Sequence, residues 1–273
     1  MIPAAFDFVR AESAEHAIQL LGEHGDEAKL MAGGHSLLPM MKLRLAVPSV
    51  IVDIDRLSDL SYVRDGGDHI AIGAMTRHRD IETNSLLAEQ CPMLAHVAGK
   101  VGDPQVRHRG TIGGSIAHSD PASDLPAAAL ALGATLVAQG PDGTREIPID
   151  EFFTGYFESA LTETELLTEV RVPKVPGAGW NYQKFNRRAQ DWAIVGVAAV
   201  RNGTTGVALV NMGSTPLRAT AVEEALDGGA SIDDAAAMAA EGTEAPTDLN
   251  ASPEYREHLA RVLTKRALEA ASG

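Results

Sequence analysis

The chain has 273 residues, of which 45% are apolar and 22% charged, a composition that is ordinary for a folded globular protein. Two domains, or one domain with subdomains, are expected at this length. The formal net charge of −14 argues against general binding to nucleic acid or to anionic membranes. Cys91 is the only cysteine, which excludes an internal disulfide and an iron–sulfur cluster ligated within this chain.

The sequence shows no segment typical of export or of membrane insertion. The first 13 residues lack the basic start and apolar run of a secretory signal. No stretch reaches the roughly 20 apolar residues that a membrane-spanning helix needs. We therefore expect a cytoplasmic protein that is not inserted in a membrane.

Helices and strands are predicted to alternate in the first part of the chain. Ser13 is expected to cap a first helix, with Glu15 in its first turn and glycines at its end. A strand predicted over residues 28–34 leads into a short helix that opens at Ser36 and carries Pro39 early, where a missing N–H is tolerated. β-Branched or alternating runs predict strands at 50–54, 60–65 and 69–76.

The middle of the chain is predicted to hold two helices with a polar segment between them. The apolar residues of 84–101 fall on one stripe of a single helix. Residues 102–120 are too polar and too rich in glycine for a simple element. A further helix is predicted from Asp124 to Gly133. Strands are predicted as a pair within 134–153 and singly at 166–173.

The proline- and glycine-rich residues 174–180 are the best candidate for a linker. After them, two apolar strands flank the turn NGTTG, and helices are predicted near 219–227, 231–241 and 252–271. We therefore predict an α+β fold. Its expected parts are an N-terminal region over 1–177, with subdomains of about 1–56 and 57–177, and a smaller domain of antiparallel strands and helices over 178–273.

Two short motifs combine adjacent glycines with a hydroxyl. The first glycine motif is Ala32, Gly33, Gly34, His35 and Ser36, and the second is Thr111, Ile112, Gly113, Gly114 and Ser115. Adjacent glycines permit positive φ and leave backbone N–H groups free to converge on a phosphate. Each motif alone could be a simple turn, but together they could hold the two phosphates of one dinucleotide. Neither fits the GxGxxG pattern of a βαβ unit, so Rossmann binding is less favoured.

Three segments carry a resemblance to a known family. They are AGGHSLLPMMKLR (32–44), GDPQVRHRGTIGGSIAHSDPASDLP (102–126) and KFNRRAQDWA (184–193). In order and spacing they resemble the FAD-binding medium subunit of aerobic carbon monoxide dehydrogenase and its molybdenum hydroxylase relatives, including the flavin domain of xanthine dehydrogenase. The resemblance implies a two-subdomain FAD-binding region of the vanillyl-alcohol-oxidase/PCMH type. It also implies that both glycine motifs wrap the FAD pyrophosphate and nearby flavin, mostly through backbone donors.

The resemblance implies further site residues. Asp124 would bind polar groups of the cofactor, Lys184 would approach the flavin ring, and Val101 and Leu167 would pack beside it. The residues alone leave other roles open, since Asp124 could be a helix N-cap and Lys184 a solvated strand lysine. The roles of His35, His118 and the cluster Arg107–Arg109 also stay open. No catalytic constellation and no metal site is predicted.

The resemblance also implies a function and partners. A molybdopterin-binding large subunit would oxidise the substrate, [2Fe–2S] clusters in a small subunit would carry the electrons, and FAD in this chain would pass them to a quinone or another acceptor. The three subunits would form a heterotrimer that pairs into a hexamer. A quinone acceptor would allow peripheral association with a membrane. Two alternatives are a self-sufficient flavin oxidoreductase and a flavin-free structural subunit, and the substrate could be carbon monoxide, a purine, an alkaloid or an aldehyde.

Overall fold

A three-stranded parallel sheet organises the N-terminal part of the protein. The computed structural model describes residues 2–272. The sheet has the order β1–β3–β2, with β1 at Asp7–Arg10, β2 at Ala28–Met31 and β3 at Val50–Asp53. The strands are joined by α1 (Ala14–His24) with a 3-10 turn at Gly25–Glu27, and by α2 (Leu37–Leu43). Helix α1 packs its apolar side on the sheet and forms a small core with it.

Local signals account for the bounds of these first elements. The Ser13 hydroxyl accepts a hydrogen bond from the backbone N–H of His16, which confirms the predicted cap of α1. Strand β2 ends at Met31, three residues earlier than predicted, so that both glycines of the first motif lie in the loop before α2. This loop is therefore free to shape a site at the carboxyl end of a parallel strand.

The second part of the chain is built on a five-stranded antiparallel sheet in the order β4–β5–β10–β6–β7. Its strands are β4 (Val63–Asp65), β5 (His69–Gly73), β6 (Thr135–Gly140), β7 (Gly143–Pro148) and β10 (Leu166–Pro173). Short 3-10 turns lie at Ser58–Leu60 and Ile149–Glu151, and β8 (Phe153–Gly155) pairs with β9 (Glu158–Ser159) in a small hairpin. The predicted strands at 60–65, 69–76, 134–153 and 166–173 are thus confirmed with shifted ends.

Six helices separate β5 from β6. They are α3 (His78–Glu82), α4 (Ser85–Gln90), α5 (Pro92–Lys100), α6 (Pro104–Arg107), α7 (Ile112–His118) and α8 (Asp124–Leu132). The prediction of one helix over 84–101 was wrong, because Pro92 lacks the N–H that would continue α4 and instead begins α5. Residues 102–120 are also more ordered than predicted: Asp103 caps α6 and Thr111 caps α7. Capping side chains allow short helices in a polar segment.

The C-terminal part has a four-stranded antiparallel sheet in the order β11–β12–β13–β14. The strands are β11 (Gly179–Phe185), β12 (Val195–Asn202), β13 (Thr204–Val210) and β14 (Leu217–Arg218), followed by α9 (Thr220–Asp227), α10 (Ile232–Ala237) and α11 (Pro253–Ala270). The sequence predicted β12, β13 and the three helices, and the predicted linker overlaps the start of β11. The α+β class is confirmed. Among residues 2–272, no helix is both long and apolar enough to cross a membrane.

Helix α8 joins the two antiparallel sheets. All nine of its residues are buried, and it packs on β12 and β13 while it also contacts α5 and β10. A helix that is apolar on every side is expected only where it is covered on every side. The position of α8 matters for the site because its first residue is Asp124.

Candidate cofactor site

A cavity of about 650 Å³ lies where the three main sheets of the protein approach one another. This volume falls in the range that is typical of ligand sites. Thirteen of the fourteen predicted site residues line it: Ala32, Gly33, Gly34, His35, Ser36, Val101, Thr111, Gly113, Gly114, Ser115, Asp124, Leu167 and Lys184. Ile112 does not, because its side chain is fully buried in the core. The two glycine motifs and the more distant predicted residues are therefore brought together by the fold.

The first glycine motif offers free backbone donors to this cavity. Within residues 2–272, the backbone N–H groups of residues 33–36 have no hydrogen-bond acceptor. Gly34 has φ +73°, a left-handed conformation that favours glycine. Gly33 does not have a positive φ; a Cβ there would lie 2.1 Å from the Arg109 carbonyl oxygen, so glycine is required by close packing. Successive N–H groups in such a loop form a concave site for an anion.

The second glycine motif differs, because its backbone N–H groups already have acceptors in the protein. Ile112 N–H donates to Thr76 O at 3.0 Å and Gly113 N–H to Ala74 O at 2.9 Å. Gly114 N–H donates to the Thr111 hydroxyl at 3.1 Å, which is the cap of α7. These bonds contradict the expectation that this motif acts mostly through free backbone donors. Neither glycine has positive φ, so the glycines serve close packing.

Close packing around the second motif brings the two motifs together. A Cβ on Gly113 would lie 2.5 Å from the Ala74 Cβ, so α7 can approach the end of β5 only with glycine there. Gly114 is exposed to the cavity, and a Cβ on it would lie 3.8 Å from the Ala32 Cβ of the first motif. The second motif thus forms a smooth wall opposite the free donors of the first motif.

A buried ion pair lies on another wall of the cavity. Lys184 Nζ contacts an Asp124 carboxylate oxygen at 2.8 Å, and their side chains are 8% and 5% exposed. Lys184 also donates to the Lys100 carbonyl oxygen at 3.0 Å, and the Tyr182 hydroxyl donates to the other Asp124 oxygen. Burial raises the pKa of the Asp124 carboxyl, which Lys184 opposes, and burial beside Asp124 raises the pKa of Tyr182 well above its ordinary value.

This ion pair decides two alternatives that the sequence left open. Ser123, not Asp124, is the N-cap residue of α8, and the Asp124 side chain makes no capping bond. Lys184 is not a solvated strand lysine, since it is buried and paired. An ammonium group has three donors, so Lys184 keeps one for a ligand. Tyr182 was not predicted; the signal was its position two residues before Lys184, on the same face of β11.

Cations and histidines surround the end of the cavity beside the first motif. Arg77 and Arg109 both contact Asp55, the second at 3.3 Å. Burial, the largest single influence, opposes ionisation of Asp55, but the hydrogen bonds and charges of Arg77 and Arg109 together outweigh it and lower the pKa of that carboxyl. Burial and nearby Arg109 lower the pKa of His35. The surroundings are therefore suited to an anionic ligand even though the whole chain is acidic.

His78 was missed by sequence reasoning and lies at the same end of the cavity. It is 4% exposed, and its Nδ1 is buried with no hydrogen-bond partner in the described part of the chain. Burial, then nearby His35, lowers the pKa of His78 to about 4, so the imidazole is neutral at physiological pH. A buried polar atom without a partner is costly, and in a ligand cavity it indicates a site for a ligand or an ordered water.

The remaining predicted residues divide into wall and support. His118 and Phe157 both line the cavity, with ring centroids 4.8 Å apart, and burial lowers the pKa of His118. Arg107 donates to Glu82 at 3.0 Å and to the Val101 carbonyl at 3.2 Å, so this member of the basic cluster supports the loop before the second motif. Among residues 2–272, no group of three or more His, Cys, Asp and Glu could hold a metal ion.

Comparisons with known proteins agree with this geometry. Residues 4–175 match the family model described as the FAD binding domain in molybdopterin dehydrogenase, and residues 180–271 match the CO dehydrogenase flavoprotein C-terminal domain. The chain is 42% identical to the carbon monoxide dehydrogenase medium chain of Hydrogenophaga pseudoflava, over 99% of this chain and 98% of that protein. It is 39% identical to the 6-hydroxypseudooxynicotine dehydrogenase complex subunit alpha of Paenarthrobacter nicotinovorans, over 98% and 95% respectively.

A solved structure shows the same fold. It is carbon monoxide dehydrogenase from Hydrogenophaga pseudoflava, in a form that lacks the Mo-pyranopterin moiety of the molybdenum cofactor, and it matches with a TM-score of 0.96 at 43% identity over 100% of this chain and 99% of that chain. The chain therefore belongs to the family of FAD-binding medium subunits of molybdenum hydroxylases, which are oxidoreductases. FAD is its cofactor. The free N–H groups of 33–36 and the unpartnered Nδ1 of His78 are consistent with a dinucleotide in the cavity.

Proposed function

We propose that this chain is the electron-transferring FAD subunit of a molybdenum hydroxylase complex. It receives electrons from [2Fe–2S] clusters of a partner subunit and passes them to a quinone or another acceptor. The observation that carries the proposal is the cavity with free donors at 33–36 on one wall and the buried Asp124–Lys184 pair on another. FAD, when bound, accepts electrons one at a time and releases two, which suits it to a position between clusters and a two-electron acceptor.

The residues of the cavity have separate roles in this proposal. The backbone N–H groups of 33–36 and the Ser36 hydroxyl, which makes no capping bond, hold the FAD pyrophosphate. The second motif contributes a close-packed wall. Val101 and Leu167 would pack beside the ring system, and the remaining donor of Lys184 would be available to it. A cation beside a flavin ring favours its anionic reduced form, which raises the reduction potential.

The proposed partners are a molybdopterin-binding large subunit and a [2Fe–2S] small subunit, in a heterotrimer that pairs into a hexamer. The names of the relatives, a medium chain and a complex subunit, support a multi-subunit assembly. Cys91 is the only cysteine of the chain and is buried, which agrees with clusters in another subunit. We place the complex in the cytoplasm, with peripheral attachment to a membrane where the acceptor is a quinone.

The substrate of the complex is not determined by this chain in our proposal. Its relatives serve the oxidation of carbon monoxide and of 6-hydroxypseudooxynicotine by name, at 42% and 39% identity to this chain. Similar identity to proteins with such different substrates is expected if substrate oxidation occurs on the large subunit. Carbon monoxide, a purine, an alkaloid and an aldehyde all stay candidates.

Two measurements test the proposal. First, the purified chain is titrated with FAD and its visible spectrum is recorded; the absence of bound flavin would contradict the role and favour a structural subunit. Second, reduction of the bound flavin by the substrate of the complex is followed without oxygen, with and without the partner subunits. We expect reduction only with the partners, and rapid reduction of the isolated chain by a candidate donor would instead establish a self-sufficient oxidoreductase.

A further inference from the structure

The segment of residues 186–194, between β11 and β12, forms one wall of the cavity. The residues of this segment that line the cavity are Gln190, Asp191 and Trp192. Its base is closed by the Ile194 N–H, which donates to the Phe185 carbonyl at 2.7 Å. Within the segment the Asp191 N–H donates to the Arg188 carbonyl at 2.9 Å, and contacts with other elements set its position against the cavity.

Asn211 contacts this segment and the turn that precedes Asp124. Its Nδ2 donates to the Ala193 carbonyl at 2.9 Å. Its backbone N–H donates to the Pro121 carbonyl at 2.8 Å, in the turn that leads to Asp124. Its φ of 63° is in the left-handed region, which non-glycine residues seldom adopt although asparagine tolerates it better than most. A strained residue persists where its surroundings hold it in place, and here the two hydrogen bonds do so.

Arg256 of α11 holds the next carbonyl of the same segment. The residue is 0% exposed, and its guanidinium donates to the Ile194 carbonyl through Nη1. Its Nη2 lies 2.8 Å from the Asp248 carboxylate. Nε and Nη2 make no hydrogen bond in the described part of the chain, so the Ile194 carbonyl is the one hydrogen-bond acceptor found there for this buried guanidinium, and Asp248 balances its charge. Side chains from two other parts of the chain, the residue after β13 and helix α11, thus bind two consecutive carbonyls at the end of the segment.

We propose that Asn211 and Arg256 are positioning residues that fix 186–194 as a wall of the FAD cavity, an inference that rests on the proposed function. Neither side chain lines the cavity, so both act through the segment they hold. Asn211 also joins this wall to the turn before Asp124 through its backbone N–H. Loss of either side-chain contact frees the segment and weakens the enclosure of the cofactor.

Limited proteolysis with trypsin measures the freedom of the segment directly. Arg187 and Arg188 have side chains that are 62% and 66% exposed, so cleavage after them is limited by local backbone mobility. Asn211→Asp keeps the size and the tolerance of positive φ but places a carboxylate opposite the Ala193 carbonyl. Asn211→Gly keeps the backbone conformation and removes the donor. Asn202→Gly, at the exposed last residue of β12, is the control.

We expect both Asn211 variants to be cleaved about tenfold faster after Arg187 and Arg188, because a hydrogen bond of about 1.4 kcal/mol is lost. The FAD dissociation constant should rise about fivefold, with a change in the visible circular dichroism of the bound flavin. Arg256→Met should also speed cleavage and weaken FAD binding, and Arg256→Lys should recover part of the wild-type behaviour. Asn202→Gly should leave cleavage and FAD binding unchanged.

Three results would overturn the proposal: wild-type cleavage and FAD affinity in the Asn211 and Arg256 variants, cleavage that rises equally at all basic sites, or faster cleavage of the segment with unchanged FAD affinity and flavin spectrum. If Asn211→Asp does not fold, Asn211→Gly and Arg256→Lys give the same comparison. Failure of the wild-type chain to bind FAD would refute the proposed function, whereas the cleavage rates would still report whether the segment is anchored.

Discussion

The two glycine motifs look alike in sequence and differ in what their backbones do. In the first, the N–H groups of 33–36 have no acceptor in the described chain, and Gly34 has a left-handed φ of +73°. In the second, the N–H groups of 112–115 all donate to protein acceptors, two of them to Thr76 and Ala74. The first motif is built to bind a ligand through its backbone, and the second is built to pack.

This difference shows what a glycine pair does not specify. Glycine is required for positive φ in one place and for lack of a Cβ in another, and the two requirements leave the same mark in a sequence. Only the hydrogen-bond partners distinguish them. The second motif still belongs to the site, because its close packing places a smooth surface opposite the donors of the first motif.

The largest effect is expected at the buried ion pair between Lys184 and Asp124. Lys184→Met leaves the Asp124 carboxylate buried without a cation, and we expect a loss of about 3–5 kcal/mol in the free energy of unfolding at neutral pH, measured with urea. Burial raises the folded-state pKa of Asp124 above its unfolded value, so proton uptake by Asp124 stabilises the folded state. That stabilisation is lost as pH rises through the folded-state pKa. The deficit of the variant should therefore shrink as pH falls.

The double variant Lys184→Met with Asp124→Asn is the control for that prediction. It removes both charges and leaves the Tyr182 hydroxyl a partner, so it should recover most of the lost stability. Equal stability of Lys184→Met and wild type would mean that the Lys184–Asp124 pair is solvated and does not stabilise the fold. A lower flavin potential in folded Lys184→Met would support the position of this cation beside the ring.

A smaller effect is expected at Gly113, where the packing role of the second motif is tested. Gly113→Ala places a Cβ 2.5 Å from the Ala74 Cβ and 2.7 Å from its carbonyl oxygen, so α7 must move away from β5. We expect a loss of about 3 kcal/mol in the free energy of unfolding. The matched control is Gly22→Ala in α1, where no atom lies within 4 Å of the added Cβ, and there we expect a gain of up to about 1 kcal/mol. Similar effects of both substitutions would refute the packing role.

Much of the fold could be predicted because its signals are local. Ser13 and the glycine after α1, the apolar runs of β12 and β13, and the helical stripe of α11 are patterns within a few residues of one another. The error at residues 84–101 came from an apolar stripe that continues across Pro92, where the backbone nevertheless restarts. Periodicity reports which face is buried and does not report whether one helix or two present it.

Most of the predicted site residues share one cavity, whereas the contacts around them were not predicted. Thirteen of the fourteen predicted residues line the cavity, yet Tyr182, His78 and Asn211 were missed. Tyr182 and Asn211 act through partners far away in sequence, as when the Tyr182 hydroxyl reaches Asp124 across 58 positions, whereas distant segments bury the His78 Nδ1 without a partner. A polar residue that is satisfied or left unsatisfied by a distant segment leaves no periodic or spacing signal. Burial and pairing at long range are properties of the fold.

A smaller effect than that at Gly113 tests the first motif directly. Gly34→Ala forces an alanine into φ +73°, at a cost of about 1–2 kcal/mol, and brings its Cβ within 2.9 Å of Leu38 Cδ1, which can move. Because this loop carries the free donors, the strain should appear in cofactor binding, and we expect FAD to bind about tenfold more weakly by fluorescence titration. The free energy of unfolding of the FAD-free chain should change by no more than the cost of the strain.

Gly114→Ala is the matched substitution in the second motif, and it decides whether the comparison holds. Gly114 is helical, so alanine gains about 1 kcal/mol of helix propensity. Its Cβ would lie 2.8 Å from the Thr111 hydroxyl and would weaken that cap, which costs about 1 kcal/mol. The two effects nearly cancel, and FAD affinity should fall less than threefold, well below the loss in Gly34→Ala. Equal losses of affinity in the two variants would show that both motifs bind the cofactor through their backbones, and the division between a donor loop and a packing wall would then be wrong.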